Sequence, residues 1–571
     1  MKRFQRIWGA ATGILGQTQR MWFVDFVLLG GIAGVVFGLF GVAHEWTMPT
    51  VTNEPIDLSV TALPYYTMLT LTRGLIGYIM SIVFTMLYGY WAAKDEVAGQ
   101  VLVPMLDILQ SIPILGFMPG LVMAMVALFP STRVGLELAA VITIFTGQAW
   151  NMTFSYYHSL RSIPENLREA STLYNFSWWE RLKWLELPIS TIGLVWNSMM
   201  SMAGGWFFIM ISEQFKGGNL PGLGSYMAAA VEKEDHAAQV YAIIAMTLMI
   251  IALDQFLWRP LVVWSQKFRL DDAGHGEQME SWFLDFLRRS KIVSFFEKKF
   301  LKPNPNAKPR PRVIKSDEPL KPNPIGRILS LLSFVALLCV LIWGGFSLFQ
   351  LLRQNELKTW IELVGLAFIT LGRVLISTTV ATLIALPIGL NIGLSPKLSR
   401  HLQPVVQIVA SFPAPMLFPM VLALMARVGV SIEWGSIVLM LLGTMWYIVF
   451  NVVAGAMAIP ADIREAAESY NITGWQRFVK IYFPGVFPYL VTGWVTAAGG
   501  AWNTSIVAEY IDSTHPAARG LGSAISQAFS VSNLAKLAAA VVVMSVVVVT
   551  FNRLVWKRLY DLAETRYSLS R

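Results

Sequence analysis

The chain has 571 residues, 55% of them hydrophobic and only 14% charged, with a net charge of +9 and a mean hydropathy of +0.55. Soluble chains carry about a quarter charged residues, so an ordinary soluble enzyme is excluded, and apolar runs of about twenty residues or more mark a polytopic membrane protein. The surplus Lys and Arg fall in loops predicted to share one side of a membrane, which the positive-inside rule accounts for without nucleic acid.

In chain order, Met1-Lys2-Arg3-Phe4-Gln5-Arg6 is basic, and the apolar run that follows starts near Phe23 with no small-residue cleavage site. It reads as a retained first span. Spans are predicted near 23–43, 66–91, 101–128, 135–157, 188–212 and 239–258 in the first half. The second half gives 327–348, 364–393, 403–427, 432–452, 485–510 and 536–555. Twelve crossings place both termini on one side, and the charge bias makes that side cytoplasmic, with Lys94, Arg161, Arg168, Arg181, Lys183, Lys397, Arg400, Arg464, Arg477 and Lys480.

The segment between the halves, about 259 to 326, carries fourteen Lys/Arg against eight Asp/Glu and ends in a Pro-rich stretch from Lys302 to Pro324. That stretch should be extended. Before it, Met279, Trp282, Phe283, Phe286, Val293, Phe296 and Phe300 recur at helical spacing among basic residues, a pattern for a helix lying in the membrane interface. The domains are therefore an N-terminal span and external loop (1–65), a first repeat (66–258), this linker (259–326), the first span of the second half (327–363), a second repeat (364–555) and a cytoplasmic tail (556–571).

The two halves repeat each other. Ser111-Ile112-Pro113 through Pro119 matches Ser411-Phe412-Pro413 through Pro419, and Arg73 matches Arg373, at an offset of 300 residues. The offset then falls to 296, with the loss assigned to the loop around Phe129 to Arg133. Gly147 and Trp150 match Gly443 and Trp446, while Gly204, Trp206 and Glu213 match Gly500, Trp502 and Glu509. Each match falls in the same span number, and six crossings is an even number, so the repeats are parallel. The fold expected is all-α and polytopic, about twelve transmembrane helices in two parallel six-helix repeats, with each half's unmatched first span peripheral.

One polar loop is duplicated with its local signals intact. In the first copy Pro164 and Glu165 open a short helix, Asn175 stops it, and Ser177-Trp178-Trp179-Glu180 forms a capping box for a second short helix ending at Pro188. In the second, Pro460 and Asp462 open the helix, Asn471 stops it, and Thr473-Gly474-Trp475-Gln476 opens another that ends at Pro484. Two short helices joined by a sharp turn make a rigid knob, and the chain presents two on one membrane face.

These loops resemble the signature of permease subunits of ATP-binding-cassette importers: Glu-Ala-Ala, three residues, Gly, nine residues, Ile, one residue, Leu-Pro. The first copy reads Arg168, Glu169-Ala170-Ser171, Asn175, Leu185 and Leu187-Pro188, and the second Arg464, Glu465-Ala466-Ala467, Asn471, Ile481 and Phe483-Pro484. Asparagine replaces the glycine in both. Gly499-Gly500-Ala501-Trp502-Asn503, Val507-Ala508-Glu509 and Gly520-Leu521-Gly522 resemble the nitrate, sulfonate, taurine and bicarbonate type of that family. The resemblance covers about 66–258 and 364–555; the first half is more divergent, with Phe207 at the place of Asn503.

The resemblance implies a fused pair of permeases with the type I importer fold, in a bacterial plasma (inner) membrane. Two ATPase subunits would dock on the knobs, and an extracytoplasmic binding protein would deliver a small anion. No phosphate-binding Gly-x-x-x-x-Gly-Lys-Ser/Thr loop is found in the chain, so it is read as a non-enzyme that carries no cofactor, with ATP bound by the partner. Scattered histidines give no metal site, and the single cysteine, Cys339, excludes an intrachain disulfide.

Pathway candidates are Arg73, Glu213, Arg373 and Glu509, charges inside spans, where each Arg is expected to pair with the Glu of its own half. Trp206, Trp502 and Asn503 join them because they follow the small residues of the fifth spans. The rival fold-level reading is an ion-coupled secondary transporter of the 6+6 type, which would need titratable groups near mid-membrane; Asp25, Asp107 and Asp254 lie near span ends. A membrane scaffold is the third reading.

Overall fold

The computed structural model describes residues 29–31, 33–34, 36–49, 55–214, 220–268, 283–284, 324–510 and 517–567. Helix α1 (Leu29–Thr47) precedes α2 (Leu63–Lys94), α3 (Glu96–Ser111), α4 (Ile114–Leu128) and α5 (Val134–Arg161). Helix α6 (Glu165–Leu173) leads to α7 (Trp178–Gln214), α8 (Leu223–Glu232) and α9 (His236–Phe268). The second half begins with α10 (Pro324–Leu352) and repeats the order: α11 (Leu357–Leu394), α12 (Pro396–Ser411), α13 (Ala414–Arg427), α14 (Ile432–Ala458) and α15 (Ala461–Ser469). It closes with α16 (Gly474–Arg477 continuing through Phe483–Ala508), α17 (Leu521–Ser530) and α18 (Leu534–Phe551 continuing through Lys557–Arg566). Among the described residues the only extended pairing is one isolated bridge, Pro49 with Thr132.

In each half the second, fourth and fifth spans pack side by side, α2 on α5 on α7 and α11 on α14 on α16. The third span is broken. Pro113 and Pro413 force the residues before them, Ile112 and Phe412, to extended ψ values of 125° and 129°. The limbs on either side then meet at 96° in the first half and 78° in the second.

Among the described residues, eight helices are long and apolar enough to cross a membrane, or ten if each bent pair counts as one span. Twelve were expected. The two that fall short, α5 and the Phe483–Ala508 part of α16, have the length, 28 and 26 residues, but not the hydropathy. Both lie in the middle of their halves, and α5 turns Glu137, Thr143, Gln148 and Thr153 inward. A helix shielded from lipid by protein need not be apolar all round.

The first spans are peripheral as expected: the apolar window of α10 is 0% buried and that of α1 19%. Helix α9 runs on to Phe268, so the linker begins about ten residues later than its predicted start at 259. The predicted interfacial helix and Pro-rich stretch lie outside the described residues, save Phe283, whose ring packs 4.8 Å from that of Phe256, and Pro324, which opens α10. Helices α8 and α17, ten residues each, were not anticipated.

The halves interlock through their broken spans. Ile114, Leu115 and Met118 of α4 share a core with Trp502, Ile525 and Val543 of the second half. Reciprocally, Met416 sits in the core formed by Trp206, Tyr226 and Met246 of the first half.

Candidate functional site

Each knob is built by the residues its sequence suggested. Helices α6 and α15 end in the same motif: Asn175 and Asn471 adopt left-handed φ values of 50° and 53°. The Phe176 N–H then donates to the Ser171 carbonyl at 3.0 Å and the Ile472 N–H to that of Ala467 at 2.9 Å. Asparagine tolerates that conformation nearly as glycine does, so the replacement keeps the turn. Ser171 and Ala467 are buried under the turn, whereas Glu169, Glu465 and Ala466 face outward and Ala170 is half-buried. Arg168 fastens the first knob to the fourth span, its Nη2 donating to the carbonyls of Leu160 and Arg161 at 3.0 Å each. The second knob is braced differently, by Arg477 at the base of the fifth span, which donates to Glu468 at 3.1 Å and has its Nη2 3.5 Å from the Arg464 carbonyl.

Two expectations are corrected here. Pro188 and Pro484 do not end the second short helices, which run on into the fifth spans as α7 and α16. A π turn, Leu182–Glu186 or Phe478–Tyr482, ends one residue short of each proline, with Leu187 or Phe483 between. The wider turn accommodates a ring that would strike the carbonyl one turn back and an amide that has no hydrogen to donate. Each knob is therefore one short helix braced on the base of a long one.

The second correction concerns the caps. Ser177 forms the full box, accepting from Glu180 N–H at 3.3 Å while Glu180 accepts from Ser177 N–H at 2.8 Å, but Thr473 makes no side-chain cap. Ser177→Ala should therefore cost about 1 kcal/mol in thermal unfolding, and Thr473→Ala close to nothing. Equal losses in the two variants would refute that distinction.

The predicted Arg–Glu pairs form, but inside larger clamps. Arg73 Nη1 donates to Glu213 at 2.8 Å and to the Pro221 carbonyl at 2.7 Å. Its Nε and Nη2 grip Glu137 at 2.7 and 2.6 Å. The Thr70 hydroxyl donates to Glu213 at 2.9 Å and accepts from Leu223 N–H at 2.9 Å, and Gly224 N–H donates to Glu213 at 2.8 Å. Two carboxylates thus face one guanidinium, and the N-terminus of α8 supplies the remaining positive partners. Gly222 is required by close approach: a Cβ there would collide with the Glu213 carboxylate.

The second half duplicates the clamp. Arg373 Nη1 donates to Glu509 and to the Arg519 carbonyl, both at 2.9 Å, and its Nη2 pairs with Glu433. Thr370, Leu521 and Gly522 complete it, and Gly520 repeats the close approach of Gly222. The copies differ in depth: Glu137 is 0% exposed and Glu433 43%. Glu137, Glu433, Thr70 and Thr370 were missed from sequence, although Glu137 and Glu433 stand at the same 296-residue offset as the matched glycines.

The seven pathway candidates therefore separate. Arg73, Glu213, Arg373 and Glu509 belong to clamps closed within one half. Trp206, Trp502 and Asn503 lie at the seams between halves. Trp206 lines a small cavity with Ile408 and Ser411 of the other half. The Asn503 amide oxygen accepts from Leu115 N–H across the seam at 3.3 Å, while its nitrogen donates to the Gly499 carbonyl at 3.1 Å. No group of three or more His, Cys, Asp or Glu among the described residues could hold a metal ion.

Comparison with known proteins places these features. The family described as binding-protein-dependent transport system inner membrane component matches residues 74–257 and again 381–568. The chain is similar to a glycine betaine transport system permease of Bacillus subtilis, 26% identical over 33% of this chain and 62% of that protein. It is also similar to a nitrate import permease of Synechocystis sp., 26% identical over 22% of this chain and 43% of the other. An aliphatic sulfonates transport permease candidate of Escherichia coli is 37% identical over 14% of this chain and 30% of its own length. These matches span between 30% and 62% of the relatives' own length. The family match spans more than half of the chain and falls once on each structural repeat, so the chain belongs to the binding-protein-dependent transport system inner membrane component family.

Proposed function

We propose that the chain forms the translocation pathway of an ATP-driven importer between two fused permease halves, in a bacterial plasma membrane with both termini cytoplasmic. Two ATP-binding-cassette ATPase subunits dock on the knobs around Glu169 and Glu465, and an extracytoplasmic binding protein delivers the cargo. The observation that carries this reading is the duplicated knob. Each is a short helix locked by a left-handed asparagine and braced directly on a fifth span, so a displacement at the knob is delivered to the helix that lines the seam.

For the cargo we favour a small anion such as nitrate, a sulfonate, taurine or bicarbonate, a choice supported by the printed names of two relatives. Arg73 and Arg373 are engaged by carboxylates on both sides, so the anion would be met at the seam by neutral donors such as Asn503. Reconstitution of the chain in nanodiscs with its ATPase and binding protein tests both parts. ATP hydrolysis should rise several-fold with one of these anions. Stimulation by glycine betaine alone would overturn the anion assignment and keep the importer; failure of any ATPase to associate would overturn the importer.

A further inference from the structure

One polar contact crosses the seam at a place where neither clamp nor knob reaches. Asp254 of α9 is 5% exposed, and its Oδ1 accepts from Gln407 Nε2 of α12 at 2.8 Å. The other carboxylate oxygen accepts from Gln255 Nε2 at 2.9 Å and lies 3.8 Å from Arg259 Nε. The Gln407 amide also sits 2.8 Å from the sulfur of Met199. Asp254 and Gln407 wall a small cavity with Trp206, Trp258 and Ser411.

Both partners stand at points where their helices can yield. Gln407 lies one turn before the break at Phe412-Pro413, on the limb of the third span that faces the knob side, and that limb meets α13 at 78°. Asp254 opens a π turn, Asp254–Trp258, in the sixth span, and such turns mark places where a helix is under-wound. The contact therefore ties a hinged limb of one half to a hinged span of the other.

The repeat supplies an independent argument. At the other seam, where α3 packs against α18, the position equivalent to Gln407 is Asp107 and the one equivalent to Asp254 is Asn552, which likewise opens a π turn, Asn552–Trp556. The acid and the amide have exchanged sides. Each seam keeps one carboxylate and one carboxamide at this place, the combination that makes a charge-assisted hydrogen bond across a seam, while the only ion-pair partner of Asp254 among the described residues, Arg259, lies on its own helix.

We infer that Asp254 and Gln407, with Asp107 and Asn552 at the equivalent seam, are gate residues: polar latches that close the seam on the knob side of the broken third spans. One amide bonded across the seam, to Asp254 and to the Met199 sulfur, suits that task, because its contacts can break and re-form as the halves move, whereas each clamp holds by two ion pairs within one half. The latch is defined by the seam alone. Its part in a transport cycle rests on the importer reading.

The test uses the full chain in nanodiscs with Cys339→Ser and a reporter Ser411→Cys behind the latch, labelled by a membrane-impermeant thiol reagent. Gln407→Glu sets two carboxylates against each other and should raise the labelling rate about tenfold. Asp254→Asn combined with Gln407→Glu rebuilds the acid–amide pair in the orientation of the other seam and should return the rate to within about twofold of the starting chain. Labelling unchanged by Gln407→Glu, or the double variant labelling as fast as the single, would overturn the latch. Both readouts are taken without ATPase or cargo, so they stand apart from the test of the importer reading.

Discussion

Arg73→Met should nearly abolish recovery of folded, monodisperse protein. The substitution strands Glu137 and Glu213, both 0% exposed, in one low-dielectric site with no cation between them. Removing one partner of a buried ion pair costs about 3–5 kcal/mol, a large part of the roughly 5–15 kcal/mol that keeps a domain folded, and here two carboxylates lose the same partner. If the loss is electrostatic, Arg73→Met with Glu137→Gln and Glu213→Gln should recover most of it, because a neutral site has no stranded charge. Arg373→Met should be milder: Glu433 is 43% exposed and can take water in place of the guanidinium. Size-exclusion profiles and thermal unfolding of the four chains decide the matter. Equal damage from the two single substitutions, or no recovery in the neutralised triad, would mean that packing rather than charge carries the clamp.

That asymmetry shows where reading the sequence stops. The duplication, the breaks at Pro113 and Pro413, the asparagine turns and the pairing of Arg73 with Glu213 and Arg373 with Glu509 were legible, because each rests on a local backbone rule or on one internal repeat. Glu137 and Glu433 escaped because they close the clamps from the first turn of another span, about sixty residues away. Nothing in the local pattern of a lone Glu at a helix start distinguishes a clamp from a favourable dipole contact. Helices α8 and α17 escaped for a different reason: at ten residues each they are too short to register as spans. Yet Leu223 and Tyr226 are fully buried, and the N-terminus of α8 supplies the Gly224 amide that holds Glu213 and the Leu223 amide that holds Thr70 against it. The terminal prolines of the knobs misled in the opposite direction, since a π turn lets a helix continue where proline ordinarily stops it.

Charge reversal at both knobs, Glu169→Arg with Glu465→Arg, should release the ATPase while leaving the chain as stable as before. Neither carboxylate makes an ion pair or a side-chain hydrogen bond among the described residues, and both face outward. Surface substitutions of that kind usually fall within about 0.5 kcal/mol of neutral, so thermal unfolding should not move. Like charges brought together at an interface, by contrast, cost several kcal/mol and suppress docking. On the proposed docking, the two knobs would also act together. If the two ATPase subunits contact each other as well as the chain, each single reversal leaves one socket intact, and the second subunit is retained through its neighbour at raised effective concentration. The singles should therefore keep a large share of co-purified ATPase, and the double should fall by about tenfold or more, roughly 1.4 kcal/mol per decade. A stable double variant that still brings down full ATPase would remove the knobs as sockets. A double variant that unfolds instead would show that Glu169 and Glu465 serve the chain itself.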